Sequence, residues 1–227
     1  MAVASEFLRS TPYFADLSPA ELEAIGRVTF EKSFKRHQVI VLEGEPGEAL
    51  YFVLSGVVKV FKTSAEGKEQ VLCLVPPGES FNEMAVFDGG TNPASASALG
   101  PVVLAGIRRG DMISLAERHQ RIALNIIKVL AARPRHLVSL VEDLAFRHVN
   151  ARLARLLLDN ARNGHAAPGS PPRPRLTQQE MAALIGTARE VVGRSLKALE
   201  DAGAIRIDHH RIIISDRKSL EDMVRAS

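Results

Sequence analysis

The sequence has little cysteine, no tryptophan and no long apolar run. Its one cysteine, Cys73, excludes a disulfide framework within the chain, and it leaves too few thiolates for an iron–sulfur cluster or a structural zinc site. No segment approaches the ~20 apolar residues that span a bilayer, and no secretory signal is evident at the start. We therefore expect a cytoplasmic protein that has no metal site and does not enter a membrane.

The charge of the chain is small but unevenly placed. With 227 residues, of which 46% are hydrophobic and 24% charged, the chain can fold as one large domain or two modest ones. The formal net charge is only +3. The last third nevertheless carries many basic residues: Arg173, Arg175, Arg189, Arg194, Lys197, Arg206, Arg211, Arg217 and Lys218. This asymmetry indicates a nucleic-acid face, and a solvated basic surface is the alternative.

Short apolar runs separated by glycines fill the region from Phe34 to Ile107. The runs are rich in Val, Ile, Leu and Phe, and they cover residues 38–42, 49–54, 57–62, 70–75 and 102–107. Glycines at this spacing are typical of tight turns between antiparallel strands. The pattern predicts a β-barrel or sandwich, preceded by short helices near residues 19–27.

A helical pattern without any glycine follows, from Asp111 to about Asn160. Apolar residues recur at spacings of three and four, which indicates the seam of a helix pair, with Ile127, Leu130, Leu137, Val141 and Leu144 as its members. We expect a long helix that forms a homodimer, although the same stripe could pack on the protein's own barrel. Pro134 lies within the pattern and is expected to kink or split the helix.

The C-terminal region has the pattern of a winged helix-turn-helix. After a loop rich in proline and glycine over residues 163–174, Thr177 and Glu180 form a predicted capping box that starts a helix. Gly186 ends this helix, and a second helix is predicted over residues 187–199. Residues 204–214 then predict two short strands around a tight turn, which would form the wing.

The second of these helices carries the residues expected to contact bases. Arg189, Glu190 and Arg194 lie opposite its apolar face, and arginine can pair with guanine while glutamate accepts from cytosine. We expect double-stranded DNA to bind here, with backbone contacts from Thr177, Gln178, Thr187, Lys197, His209, His210 and Arg211. The alternatives are a helical hairpin with a charged solvent face, and a capping box between Thr187 and Glu190 that would draw Glu190 to its own backbone.

From Phe34 to the wing, the chain resembles the family of the cyclic-AMP receptor protein and the fumarate-nitrate reductase regulator. The resemblance is carried by the glycine-punctuated strands, by residues 78–83 (GESFNE) in the effector-cassette position, by residues 143–146 (DLAF), and most specifically by residues 189–194 (REVVGR). It implies an α+β fold with an antiparallel β-roll of the cyclic-nucleotide-binding type over residues 1–110. A dimerisation helix over residues 111–148 and a winged helix-turn-helix over residues 149–227 would follow.

The function implied by the resemblance is transcription regulation, with no enzymatic activity. Members of the family act as homodimers on palindromic DNA, and the motif at residues 189–194 implies half-sites near TGTGA. RNA polymerase would be a further partner. Effector or redox state would shift the population between DNA-competent and incompetent dimers.

The sequence departs from the family in the effector pocket. Pro93 and Ala94 stand where the arginine and serine for the cyclic phosphate would be, whereas Glu83, expected to meet the ribose, is kept. We therefore expect poor binding of cyclic AMP and an effector of another kind, or none. The expected pocket is more apolar, and its candidate residues are Phe81, Glu83, Met84, Pro93, Ala94, Leu137, Val138 and Val141.

Three further function classes stay open at this point. A haem- or redox-sensing regulator of the same family is one, with His37, His119, His136 and His148 as candidate haem ligands and Cys73 expected to point into the roll. A regulatory module with only the cyclic-nucleotide roll is another, but such modules lack a recognition helix. A cupin-like metalloenzyme would need clustered histidines on the strands, and only His37 lies near them.

Overall fold

The computed structural model describes residues 5–163, 176–209 and 211–225. Helices and strands form there the mixed α+β architecture that the sequence predicts, and this prediction is confirmed. Their bounds are α1 (Ser5–Ser10), a 3₁₀ turn (Pro12–Phe14), α2 (Pro19–Val28), β1 (Thr29–Phe34), β2 (Val39–Val41), β3 (Ala49–Ser55), β4 (Val58–Thr63), β5 (Glu69–Val75), β6 (Ser80–Phe81), α3 (Glu83–Asp88), β7 (Ser95–Ala98), β8 (Val102–Arg108), α4 (Arg109–Arg118), α5 (Gln120–Phe146), α6 (Val149–Asn163), α7 (Gln178–Ile185), α8 (Arg189–Asp201), β9 (Ile205–Asp208), β10 (Arg211–Ile214) and α9 (Arg217–Arg225).

The contacts divide the chain into two units. The first contains Met1–Lys62 and Leu72–Leu137, and the second contains Thr63–Val71 and Val138–Ser227. The predicted domain boundaries at residues 110 and 148 stay predictions. Nearly all of the predicted loop over residues 163–174 lies outside the described residues, as does His210.

Two antiparallel sheets form the β-roll that the resemblance implies, in the region where the glycine spacing predicts antiparallel strands. One has the strand order β1-β8-β3-β6 and the other has β2-β7-β4-β5. In the first sheet β3 pairs with β8, where Leu50 lies opposite Ile107 and Phe52 opposite Ala105. These side chains are fully buried, because the sheet faces a core that also receives Tyr13, Leu22 and Ile122 from the surrounding helices.

Within the roll, three strands and one short helix are absent from the sequence prediction. β1 and β6 have no clear alternation of apolar and polar residues, and β7 is a run of small residues, Ser95–Ala98, that is buried throughout. α3 begins after Asn82, whose backbone is left-handed with φ of 74° and whose side-chain amide donates to the Ala49 carbonyl. Asparagine tolerates this conformation better than most residues do.

The long helix is continuous through Pro134, so Pro134 does not split it; a kink at Pro134 stays a prediction. α5 runs for 27 residues, and the helical region is interrupted instead at His119, between α4 and α5, and again between α5 and α6. A proline removes one backbone donor and crowds one turn. Because Ile122, Ile126 and Val129 pack on the core of the first unit, the half of α5 before Pro134 is held in place.

The second unit is a helical domain with a two-stranded wing. Its core combines α6, α7, α8, β9 and α9, with Leu153, Val192, Leu196 and Leu220 among the fully or almost fully buried side chains. β9 and β10 pair antiparallel, with Asp208 opposite Arg211. The predicted winged helix-turn-helix is therefore present, but its second helix begins at Arg189 and not at Thr187.

Replacing Thr177 with alanine should destabilise the second unit. Thr177 is the N-cap of α7, and loss of such a cap costs ~1 kcal/mol in the free energy of unfolding. Urea denaturation followed by circular dichroism measures the change. Thr187→Ala is the matched control, since Ala188, and not Thr187, is the N-cap of α8, and its effect should stay within ~0.5 kcal/mol. Equal losses for both variants would contradict the assignment of the cap.

Candidate nucleic-acid interface

The predicted capping box fixes the start of α7. The Thr177 hydroxyl accepts from the Glu180 amide at 3.1 Å, and the Glu180 carboxylate accepts from the Thr177 amide at 2.6 Å. Two backbone donors at the helix end are thereby satisfied. Glu180 is buried, so the box also anchors the helix in the core of the second unit.

Gly186 ends α7 and sets the turn into α8. Its φ is +66°, the left-handed conformation of a helix C-cap, and the Thr187 amide donates back to the Ala182 carbonyl at 3.0 Å. A Cβ atom at this position would lie 2.6 Å from Leu144 Cδ2 and 2.9 Å from Gln70 Oε1. The backbone conformation therefore favours glycine, and a Cβ atom would also require the ends of the Leu144 and Gln70 side chains to shift.

The sequence of α8 divides it into an inner and an outer face. Val192, Leu196 and Leu199 are at most 2% exposed, and the Ser195 side chain is buried beside them. Arg189, Glu190 and Arg194 are exposed on the other side. The alternative capping box at Thr187 does not form, because Ala188 is the N-cap of α8 and its side chain makes no cap.

The three predicted base-reading residues are available to a partner. Within the described ranges, Arg189, Glu190 and Arg194 make no ion pair or side-chain hydrogen bond with the protein itself. Gly193 lies between them, and a Cβ atom there would approach only Gln178 Oε1, at an ordinary 3.6 Å. The packing of the chain alone therefore does not demand glycine at this position.

Lys197 is less available for a DNA contact than the sequence indicates, because it pairs with acidic residues of its own helix. Its ammonium lies 2.9 Å from Asp201 Oδ1 and 3.5 Å from Glu200 Oε2, and the hydrogen bond with Asp201 raises the pKa of Lys197. Lys197 and Asp201 are largely exposed and Glu200 is partly exposed, so these pairs are weak and a phosphate could compete for the lysine. Its predicted backbone contact stays a prediction.

One residue predicted to contact the DNA backbone is exposed at the tip of the wing. Arg211 begins β10 and is exposed. His209 has a left-handed backbone with φ of 45°, and its Nδ1 atom lies 2.5 Å from Asp208 Oδ1. Of the other predicted backbone contacts, Gln178 is exposed and Thr187 is half-buried, whereas the Thr177 hydroxyl is already used in the cap.

The effector region of the first unit is organised around Glu83. This carboxylate is buried and accepts from the Ser80 hydroxyl at 2.6 Å, the Tyr13 hydroxyl at 3.1 Å and Arg133 Nη2 at 2.7 Å. Burial and the charge of Glu83 raise the pKa of Tyr13 well above its usual value. The sequence reasoning missed Tyr13 and Arg133, because they lie 70 and 50 residues from Glu83 and no local pattern connects them.

The other predicted pocket residues are divided between interior and surface. Phe81 and Ala94 are buried, and Phe81 stacks on Tyr51 with ring centroids 5.3 Å apart. Met84 and Pro93 are exposed. The exposed helix residues Leu137, Val138 and Val141 complete the predicted set. Their joint role in an apolar pocket stays a prediction.

The predicted dimer seam lies mainly on the surface of α5. Ile127, Leu137, Val141 and Leu144 are exposed, whereas Leu130 packs against the core of the first unit. Leu124 and Val138 are also exposed, and they extend the same spacing along the helix. Leu130 thus belongs to the inner face, and the two additional residues lengthen the outer stripe.

The remaining candidate residues include Cys73 and His119. Cys73 is half-buried and packs against the core of the roll, and burial raises the pKa of Cys73 to about 11. His119 Nδ1 lies 3.1 Å from Glu21 Oε1.

In the described part of the chain, no group of three His, Cys, Asp or Glu residues is placed to hold a metal ion. Nor does any helix there combine the length and apolarity needed to cross a membrane.

Comparison with known proteins reveals relatives along almost the whole chain. The cyclic nucleotide-binding domain family matches residues 31–119, and the Crp-like helix-turn-helix domain family matches residues 151–223. The CRP-like cAMP-activated global transcriptional regulator of Mycobacterium tuberculosis is 31% identical over 222 residues, which cover 97% of this chain and 99% of that protein. The cyclic AMP receptor protein of Thermus thermophilus is 32% identical over 216 residues, covering 95% and 98%.

A solved structure supports the fold. FixK2 from Bradyrhizobium japonicum superposes with a TM-score of 0.74 at 23% identity, covering 86% of this chain and 97% of that chain. The helix-turn-helix match excludes a module that has only a roll, and the curated relatives are regulators and not enzymes. The chain therefore belongs to the family of the cyclic-AMP receptor protein and the fumarate-nitrate reductase regulator, a family of DNA-binding transcription regulators.

Proposed function

We propose that this chain acts as a homodimer that binds a palindromic DNA site with half-sites near TGTGA. The observation that carries the proposal is the outer face of α8, where Arg189, Glu190 and Arg194 are exposed and not paired with the described part of the protein. The opposite face of α8 is buried, so these side chains have a fixed direction.

The chemistry of the three residues suits base recognition in the major groove. An arginine can donate two hydrogen bonds to guanine O6 and N7, and a glutamate can accept from cytosine N4. All three lie in the first half of α8, the end that enters the groove in helix-turn-helix proteins. The match of residues 189–194 to the family motif supports half-sites near TGTGA.

Backbone contacts would hold this helix in register. We assign them to residues around the start of α7, the start and middle of α8, and the wing: Thr177, Gln178, Thr187, Lys197, His209, His210 and Arg211. Hydroxyl, amide and basic side chains at such positions contact phosphates without reading sequence. They would contribute affinity that weakens as salt is added.

The exposed stripe of α5 supports the homodimer. Leu124, Ile127, Pro134, Val138 and Val141 are exposed at spacings that fit a heptad pattern, and an apolar stripe of this kind is stable in water only when it is covered. A second copy of α5 would cover it. Two recognition helices related by a two-fold axis then match a palindrome.

The proposed effector is not cyclic AMP, although both curated relatives carry that ligand in their names. Pro93 offers no charge to a cyclic phosphate, and Ala94 offers no hydroxyl. Glu83, the residue kept for the ribose, is already bonded to Arg133, Ser80 and Tyr13. We also propose RNA polymerase as a partner and the cytoplasm as the location, as befits a transcription regulator.

Replacing Arg194 and Arg211 separately should distinguish base reading from phosphate contact. Arg194→Ala should weaken binding to a TGTGA palindrome by ~1–3 kcal/mol and relax the preference at one base pair of each half-site. Arg211→Ala should weaken binding to all duplexes alike and lower the salt slope by about one. Fluorescence anisotropy with specific and scrambled duplexes, over a range of salt concentrations, measures both effects.

Arg9→Ala serves as the control for that experiment, because Arg9 is an exposed arginine of α1 and has no proposed DNA contact. It should change neither affinity nor salt slope. If Arg194→Ala lost affinity equally for specific and scrambled DNA, Arg194 would not be a base-reading residue.

Titration calorimetry with cyclic AMP tests the proposed loss of that effector. We expect no saturable heat at micromolar concentrations of the nucleotide, and no rise in melting temperature at about 1 mM, since a ligand stabilises only in proportion to its binding. The M. tuberculosis relative, named as cAMP-activated, is the positive control. Micromolar affinity in this chain would contradict the proposal.

A further inference from the structure

A cavity of about 570 Å³ lies in the first unit, beside the first half of α5. Its walls come from the 3₁₀ turn, from β5 with the turn that follows it, and from α5. Pro12, Leu74, Val129 and Ala132 supply most of the apolar wall, and Cys73 adds a thiol. The volume falls within the ~300–1,000 Å³ typical of small-molecule sites.

This cavity is distinct from the cassette position discussed above. Of the described residues, those that line it do not include Phe81, Met84, Pro93 or Ala94. Glu83 also does not line the cavity, but its partners Tyr13, Ser80 and Arg133 do. The network around Glu83 therefore forms the polar end of the cavity, with the carboxylate behind it.

The polar end carries no uncompensated charge. Arg133 is paired with Glu83 at 2.7 Å and also donates to the Ser80 carbonyl. Although burial opposes the charge of Arg133, the ion pair with Glu83 raises its pKa overall. The Tyr13 phenol and the Cys73 thiol are neutral at neutral pH, and burial raises the pKa of each further, that of Cys73 to about 11.

These features restrict the chemistry of a ligand. Away from the rim, an anion or cation would enter a mostly apolar space without an unpaired counter-ion, and desolvating it would be costly. The hydroxyls of Tyr13 and Ser80 each donate their proton to Glu83 and lie 3.1 Å from each other, so what they offer to a ligand is acceptor capacity. At the rim, Glu79 and Lys128 carry opposite charges and are exposed, so the opening is polar but close to neutral.

We propose that this cavity binds an uncharged, largely apolar small molecule that places a single hydrogen-bonding group against Tyr13, Ser80 and Arg133. Val129, Ala132 and Arg133 belong to α5, the helix whose outer stripe is proposed to form the dimer. A ligand bound in the cavity would therefore contact α5 directly. Only this regulatory consequence rests on the proposed function, and binding itself does not.

Two fluorescent probes of the same ring skeleton test the site. N-phenyl-1-naphthylamine is uncharged, whereas 1-anilinonaphthalene-8-sulfonate adds a sulfonate to the same rings. On the full-length protein, the uncharged probe should bind at one site per chain, and at least about tenfold more tightly than the anionic one, because burying a charge is costly. Equal or tighter binding of the sulfonate would overturn the proposed ligand class.

Filling the cavity should remove the site. Ala132→Phe and Val129→Phe each add volume to its wall, and each should weaken the uncharged probe at least about tenfold. Ala24→Phe is the matched control, since Ala24 is an exposed alanine of α2 outside the cavity, and it should leave probe binding unchanged. If neither cavity variant altered binding, the probe would lie elsewhere, such as on the exposed stripe of α5, and the site would be wrong.

The single thiol gives an independent readout. Cys73 lines the cavity and is the only cysteine of the chain, so mass spectrometry reports its modification by N-ethylmaleimide without ambiguity. At a fixed pH of about 8, saturating uncharged probe should slow this modification several-fold in the native chain and in Ala24→Phe. Unchanged modification rates would overturn the site. DNA binding is measured on the same samples. Absence of sequence recognition would contradict the proposed function, whereas an unprotected Cys73 would contradict only the proposed cavity site.

Discussion

The burial of one face of α8 is the constraint on which the rest of this structure depends. Val192, Leu196 and Leu199 are held in the core of the second unit, and each would lose ~1.5–3 kcal/mol of burial energy if α8 turned about its axis. Arg189, Glu190 and Arg194 must therefore point away from the protein. The capping box fixes the start of α7, and the left-handed Gly186 ends it and sets the turn into α8. These two features determine where α8 begins, and its buried face determines its rotation.

The parts of the fold that follow from local chemistry could be predicted from the sequence. Thr177 and Glu180 are three residues apart, and Gly186 sits where only a residue that tolerates positive φ can end a helix in close contact with its neighbours. The strands rich in Val, Ile and Leu were predicted within one or two residues. By contrast, β7 consists of small residues that carry no alternation, and its pairing with β2 and β4 is decided by tertiary contacts.

The sensor region shows where sequence reasoning stops. Glu83 was identified through its family position, but its state depends on Arg133 and Tyr13, which only the fold brings to it. Met84 and Pro93, which the sequence assigns to the pocket, are exposed, and their role stays a prediction. The cavity beside α5 combines a helix, a strand and the 3₁₀ turn, and no spacing within the chain could indicate it. A site assembled from distant segments therefore requires the structure.

Selection from a library of random duplexes, with sequencing of the bound fraction, tests the central claim most directly. Two outward-facing α8 helices in a symmetric dimer should enrich a palindrome whose half-sites resemble TGTGA and whose centres are about 10 base pairs, or one helical turn, apart. Enrichment of no motif, or of a single half-site without two-fold symmetry, would contradict the account of how this chain recognises DNA.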